Sequence, residues 1–207
     1  VNPSTITKVR GELGKKLSEI CPGNLNKSFF TICGATGIEN AIKLARLYTG
    51  RHKILTRYRS YHGSTMGAMS AGGDPRKLKV DSQMGTNFIH LEIPYKYRSS
   101  GHHWEQNCFD HLDRILSYEG PENFAAIIME GESGSSGCLK LPDGYFKKLR
   151  KVCDKYGILL IVDEVMSGFG RTGQWFGINN YDVIPDIMVM AKGITSGYIP
   201  FGAVQVN

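Results

Sequence analysis

Asp163 and Lys192 are the two residues whose type and placement ask for a chemical explanation. The run Ile158 to Val162 (ILLIV) is apolar throughout and ends at Asp163-Glu164, and Asp186 to Ala191 (DIMVMA) is mostly apolar and ends at Lys192. Short continuous apolar runs of this kind predict central strands of a parallel sheet covered on both faces. A charge that closes such a strand sits at the carboxyl edge, where ligands bind in open α/β sheets. An acid and an amine at neighbouring strand ends can therefore grip one ligand from two sides.

Pyridoxal 5'-phosphate asks for this pair. Its aldehyde condenses with a lysine amine, and its ring nitrogen must stay protonated for the ring to take up electrons from a substrate carbanion. A carboxylate beside that nitrogen favours the charged ring, because an opposite charge in a sheltered site raises the pKa of a cationic acid. The stretch between Asp163 and Lys192 leaves room for one crossover between parallel strands. The words DEVMSGFGRTG (Asp163 to Gly173) and PDIMVMAKG (Pro185 to Gly193) resemble the signature of class III (ω-amino acid) aminotransferases. The resemblance implies a fold-type I pyridoxal-phosphate enzyme in which Asp163 binds the ring nitrogen, Val165 packs against the ring and Lys192 carries the cofactor.

Other readings of the same stretch are weaker. ILLIVDE also fits a Walker B strand, but no GxxxxGK[ST] phosphate loop occurs in the chain. GFGRTG matches GxGxxG, yet QWFGINNYD after it does not continue as the amphipathic helix a dinucleotide fold requires. The plainest alternative leaves Asp163 and Lys192 as solvated strand-end charges of an ordinary α/β core.

Composition sets outer limits. With 207 residues and 41% hydrophobic content, the chain can build one good core. Its 25 Lys and Arg and 19 Asp and Glu are interspersed, so the net charge of +6 lacks the clustered stripe of a nucleic-acid binder. Neither a signal-peptide core nor a membrane-spanning run is present. The five cysteines show no CxxC spacing, and an odd, scattered set fits reduced thiols and a cytoplasmic location. Val1 and a last residue, Asn207, just after the strand-like FGAVQV predict a fragment. The resemblance implies an enzyme about twice as long, of which residues 1–207 form part of the cofactor-binding large domain, without its N-terminal segment and C-terminal small domain.

The periodicity of Ile6, Val9, Leu13, Leu17 and Ile20 predicts an amphipathic helix from Ser4 to Ile20. A strand from Phe29 to Cys33 then leads through Gly34, Ala35 and Thr36 into a helix whose buried face carries Ile38, Ala41, Ile42 and Ala45 and which Gly50 closes. A helix N-terminus offers free backbone N–H groups and a positive dipole end, so this junction can hold a phosphate. CGATGIENAIKLAR is similar to the family word SGSEANEAAIKLAR, which implies that Gly34 and Ala35 cradle the cofactor phosphate. Cys33 and Ala35 stand where the family has serines, so binding there must rest on backbone N–H groups. Lys53 to Tyr58 reads as a strand, and Tyr61-His62-Gly63 after it resembles the family's aromatic-His-Gly turn. The resemblance implies that Tyr61 stacks on the pyridine face. His62 is read either as a polar neighbour of the substrate or as a structural donor.

Strands at Asn87 to Ile93 and Ala125 to Glu130 and helices at Cys108 to Tyr118 and Tyr145 to Tyr156 complete an alternation that predicts a mostly parallel α/β sheet with helices on both faces. Glu130 ends its strand as Asp163 and Lys192 end theirs, and joins them as a cofactor-site candidate. In the loop after it, Ser135 stands where glutamate-using members of the family carry a gating Glu. The resemblance implies transamination from a terminal amine, of an ω-amino acid or an aminosulfonate such as taurine, to pyruvate, in a homodimer without nucleic-acid or membrane partners. A pyridoxal-phosphate aminomutase or decarboxylase on the same scaffold is the alternative enzyme, and a nucleotide-binding α/β module the alternative without catalysis.

Overall fold

In a computed structural model, which describes residues 5, 7–80, 85–95, 97 and 104–207, the chain forms one sheet flanked by helices. In chain order the elements are α1 (Lys8–Ile20), β1 (Lys27–Thr31), α2 (Gly34–Thr49), β2 (Lys53–Arg57), α3 (Met66–Ala71), β3 (Phe88–Leu91) and α4 (Trp104–Glu119). Then come β4 (Phe124–Glu130), α5 (Tyr145–Tyr156), β5 (Leu159–Asp163), β6 (Ile187–Ala191) and β7 (Gly202–Val206). The sheet runs β1-β7-β6-β5-β4-β2-β3. Its β3-β2-β4-β5-β6 segment is parallel, while β7 pairs antiparallel with both β6 and β1.

The apolar runs become strands because both of their faces are covered. In β4, Ile127 and Met129 point into one core and Ala126 and Ile128 into the other; β5 and β6 repeat this with Leu160 and Val162 against Ile161, and Met188 and Met190 against Ile187 and Val189. The first core is closed by Leu17 of α1, Leu112 and Leu116 of α4, and Phe146 and Leu149 of α5. Side chains of that size each contribute about 1.5–3 kcal/mol when fully buried. The second core is closed by Ile38, Ala41, Ile42 and Ala45 of α2 and by Ala68 and Ala71 of α3. Small residues on that side let α2 lie close to the sheet: a Cβ on Gly37 would stand 2.6 Å from Val189 Cγ1.

Boundaries shift where local chemistry overrides periodicity. The first helix starts at Lys8 because Thr7 Oγ1 caps it by accepting from Arg10 N at 3.4 Å, while the expected start at Ser4 and Ile6 lies outside the described residues. The strand expected at Phe29 to Cys33 runs from Lys27 to Thr31, since Cys33 already caps α2. Helix α2 ends as expected at Gly50, whose φ of 68° is left-handed. Among the described residues no helix is long and apolar enough to cross a membrane, and no cluster of His, Cys, Asp or Glu could hold a metal ion.

Candidate active site

Strand parity and register deliver the chemistry to one edge. Asp163 follows Ile161 by two positions and so shares the α2 face of the sheet. Asp163 lies opposite Val189 on β6, and Lys192 follows three residues later, just past the end of that strand at Ala191. An acid and an amine offset this way can meet opposite ends of a small flat molecule. Lys192 also adopts a left-handed φ of 47°, a strained conformation for a residue with a Cβ and one that clusters at functional sites.

A cavity of about 460 Å³, within the range of ligand pockets, opens at this edge. Its lining includes Gly34, Ala35, Tyr61, His62, Glu130, Asp163, Val165 and Lys192, so the structure brings all the candidate site residues together. Asp163 is 4% exposed. Its Oδ1 accepts from Val165 N at 2.9 Å and its Oδ2 lies 2.8 Å from His62 Nδ1. With Asp163 ionised, His62 donates through Nδ1; its Nε2 is buried and without a partner among the described residues.

Close approach explains the glycines here. A Cβ on Gly34 would stand 2.8 Å from Val165 Cγ2, and one on Gly63 would stand 2.5 Å from Ala35 Cβ. The first turn of α2 is thereby pressed against the cavity wall. Cys33 stands at the N-cap of α2, its Sγ 3.5 Å from Thr36 Oγ1. The Thr36 backbone N–H and then its hydroxyl hold the Cys33 thiol below its ordinary pKa.

Sequence reasoning missed two charged residues. Arg57, 1% exposed at the end of β2, donates from Nη2 to Glu130 Oε2 at 2.6 Å, and Ser133 Oγ donates to the same oxygen at 3.1 Å. Glu130 therefore lines the cavity as half of a buried ion pair. The signal for Arg57 was available: it is an arginine closing the otherwise strand-like KILTR. The second is Glu164, fully buried beside Asp163. It accepts from Ser167 Oγ at 2.5 Å, Gly177 N at 2.8 Å and Ile178 N at 2.7 Å, closing the 165–176 loop over the strand end. Burial holds its carboxyl up to about 7, against the lowering effect of these donors. Ser135, by contrast, is exposed in a turn and is not part of the cavity wall.

The arrangement fits pyridoxal phosphate: an acid with one helping imidazole at the inner end, an amine across from it, flat apolar walls in Tyr61 and Val165, and a helix N-terminus for an anion. Comparison with known proteins gives the class. Residues 3–207 match the aminotransferase class-III family, and the chain belongs to it. Members of that family use pyridoxal phosphate.

Particular relatives follow from the same comparison. The chain is 41% identical over 202 residues to an uncharacterised aminotransferase of Bacillus subtilis, covering 95% of this chain and 45% of that protein. It superposes on an (S)-enantioselective omega-transaminase from Thermomicrobium roseum with a TM-score of 0.93 at 44% identity, covering 97% of this chain and 47% of the other. It superposes equally on a taurine:2-oxoglutarate aminotransferase from Bifidobacterium kashiwanohense, in complex with PLP and glutamate, with a TM-score of 0.93 at 43% identity, over 99% and 48% of the two chains. The chain thus spans about half the length of the relatives it matches. These solved relatives share the fold-type I architecture described above.

Proposed function

We propose that residues 1–207 are most of the cofactor-binding large domain of a pyridoxal-phosphate-dependent aminotransferase that moves a terminal amino group to an oxo acid. The observation that carries the reading is the pair of adjacent parallel strands ending in buried Asp163 and in Lys192, which open on one cavity of about 460 Å³. When bound, the cofactor supplies a carbonyl that captures amines and an electron-poor ring that stabilises negative charge at the substrate carbon. Lys192 Nζ would act as the base that takes the proton from that carbon and then, as an acid, give it up within the same half-reaction, with the direction reversed in the other half. Asp163 would keep the ring nitrogen charged, and His62 Nδ1, 2.8 Å from Asp163 Oδ2, holds the carboxylate in place. Gly34 and Ala35 bind the phosphate through backbone N–H groups, and Val165 and Tyr61 pack on the ring. Glu130, neutralised by Arg57, shapes the wall.

The finer reading assigns pyruvate as acceptor and a β- or ω-amino acid or an aminosulfonate such as taurine as donor. It rests on Ser135. The assembled enzyme on this reading is a homodimer in the cytoplasm, supported by exposed apolar residues beside the cavity, Ile32 at 68% and Ile199 at 59%, and by five cysteines that form no disulfide. The test is reduction of the intact, cofactor-loaded enzyme with borohydride followed by peptide mapping. The label is expected on the peptide containing Lys192, and a label on another lysine would remove the central claim.

A further inference from the structure

Tyr61 borders two hollows. It lines the large cavity with Asp163 and Lys192, and it also lines a small hollow of about 40 Å³ with Met69, Asp74 and Arg76. Arg76 is not part of the large cavity's wall, and its guanidinium carbon lies 4.0 Å from the centre of the Tyr61 ring. That is well inside the range for attraction between a cation and an aromatic face.

The guanidinium is itself held. Arg76 Nε donates to Asp74 Oδ1 at 2.6 Å and Nη2 to Asp74 Oδ2 at 2.8 Å, and Asp74 Oδ1 also accepts from Arg76 N at 2.9 Å. Two parallel bonds fix the plane of the group as well as its place. The Tyr61 ring is further tied at its edge, where Oη lies 3.0 Å from Ser64 Oγ. Its backbone N–H reaches Glu130 Oε1 at 3.5 Å. Arg76 lies over one face of the ring and is absent from the large cavity's wall, so that face is taken and the other is left for a ligand.

We infer that Arg76, clamped by Asp74, is a positioning residue that backs Tyr61 and holds its ring at the angle needed to stack on the cofactor. This rests on the reading of Tyr61 given above. Asp74 also caps the turn Pro75–Lys79 through Arg76 N, but that bond does not need the guanidinium, whose side chain is 60% exposed, and an exposed ion pair does little for the fold. Arg76→Ala is therefore expected to leave the fold intact.

The experiment is a double-mutant cycle in the intact enzyme with pyridoxal phosphate as the titrated ligand. The readouts are the cofactor dissociation constant, the visible circular dichroism of the bound cofactor and the melting temperature of the cofactor-free protein. Arg76→Ala is expected to weaken cofactor binding by about two- to five-fold, the weight of an exposed cation-aromatic contact, and to reduce the dichroism at unchanged melting temperature. In a Tyr61→Ala background the same substitution is expected to have no effect. Unchanged cofactor affinity and dichroism in Arg76→Ala overturn the inference, as does an equal loss in the Tyr61→Ala background, which would mean that the charge acts without the ring. Failure of the parent reading shows separately: the wild-type enzyme would then bind no cofactor, which overturns both.

Discussion

His62 Nδ1 lies 2.8 Å from Asp163 Oδ2, between buried side chains separated by 101 positions of chain. The other Asp163 oxygen is held by the backbone N–H of Val165 at 2.9 Å. The two contacts fix the plane and position of the carboxylate at the strand end. The acid that the proposed chemistry needs in its charged form thus receives a donor on each oxygen from the protein itself.

Asp163→Asn breaks this balance. The amide oxygen can accept from only one side, so the amide nitrogen is left facing either His62 Nδ1–H or Val165 N–H. Loss of the charge is expected to lower turnover of the intact enzyme on the order of 10²-fold or more, as removal of a preorganised electrostatic partner does elsewhere. Far-ultraviolet dichroism should stay that of the wild type. Near wild-type turnover would make Asp163 a structural strand-end residue.

Gly34 is expected to be intolerant of any side chain. A methyl there meets Val165 Cγ2 at 2.8 Å, so either α2 withdraws or Val165 moves into the cavity. Overpacking of this kind costs about 1–3 kcal/mol. Gly34→Ala should lower the melting temperature of the cofactor-free protein and weaken cofactor binding together. A variant that binds the cofactor as the wild type does would show that the wall yields freely.

Glu164 carries a prediction about pH. In Glu164→Gln the amide nitrogen, unlike a carboxyl oxygen, cannot accept, so one of the Gly177 and Ile178 N–H groups loses its partner inside the core, at about 1–3 kcal/mol. The carboxyl is held up to about 7 from an ordinary 4.5, so the folded chain keeps a proton that the unfolded chain has released between these values. The stabilisation it provides is complete below pH 4.5 and is lost as pH rises through 7. Denaturation midpoints of wild type and variant should therefore differ most at the acid end of this window and converge toward its alkaline end. A gap that widens with rising pH would reverse the assignment.

What was legible in the sequence was whatever a strand carries with it. Asp163 and Lys192 stood out because each closes an apolar run, and Gly34 and Ala35 because they join a strand to an amphipathic helix. Helix α3 was not legible, since MGAMSA is six small or flexible residues without a period. The antiparallel edge β7-β1 was not legible either, because pairing partners far apart in the chain leave no local trace. For the same reason the roles of Arg57, of His62 and of Arg76 emerge only when β2, the turn after it and the strand ends are brought together. Arg57 and Glu130 lie 73 positions apart, and no spacing rule connects them.

The acceptor remains the finest prediction. The resemblance implies that glutamate-using members pair the gating Glu with an arginine whenever that arginine holds no second substrate carboxylate, because an unpaired buried charge costs about 3–5 kcal/mol. The turn where a gating acid would stand carries Ser135, and Glu132, three residues earlier, accepts from Tyr181 Oη at 2.7 Å. Ser135 offers no carboxylate at the gating position. The names of relatives divide on the point: the 43% identical structure is of a taurine:2-oxoglutarate enzyme, while a 36% identical Pseudomonas aeruginosa protein is a putrescine–pyruvate aminotransferase. The intact enzyme is expected to use pyruvate well and 2-oxoglutarate poorly at a fixed amino donor, and Ser135→Glu to raise kcat/KM for 2-oxoglutarate. A wild-type preference for 2-oxoglutarate would sink the argument from Ser135 while leaving Asp163 and Lys192 untouched.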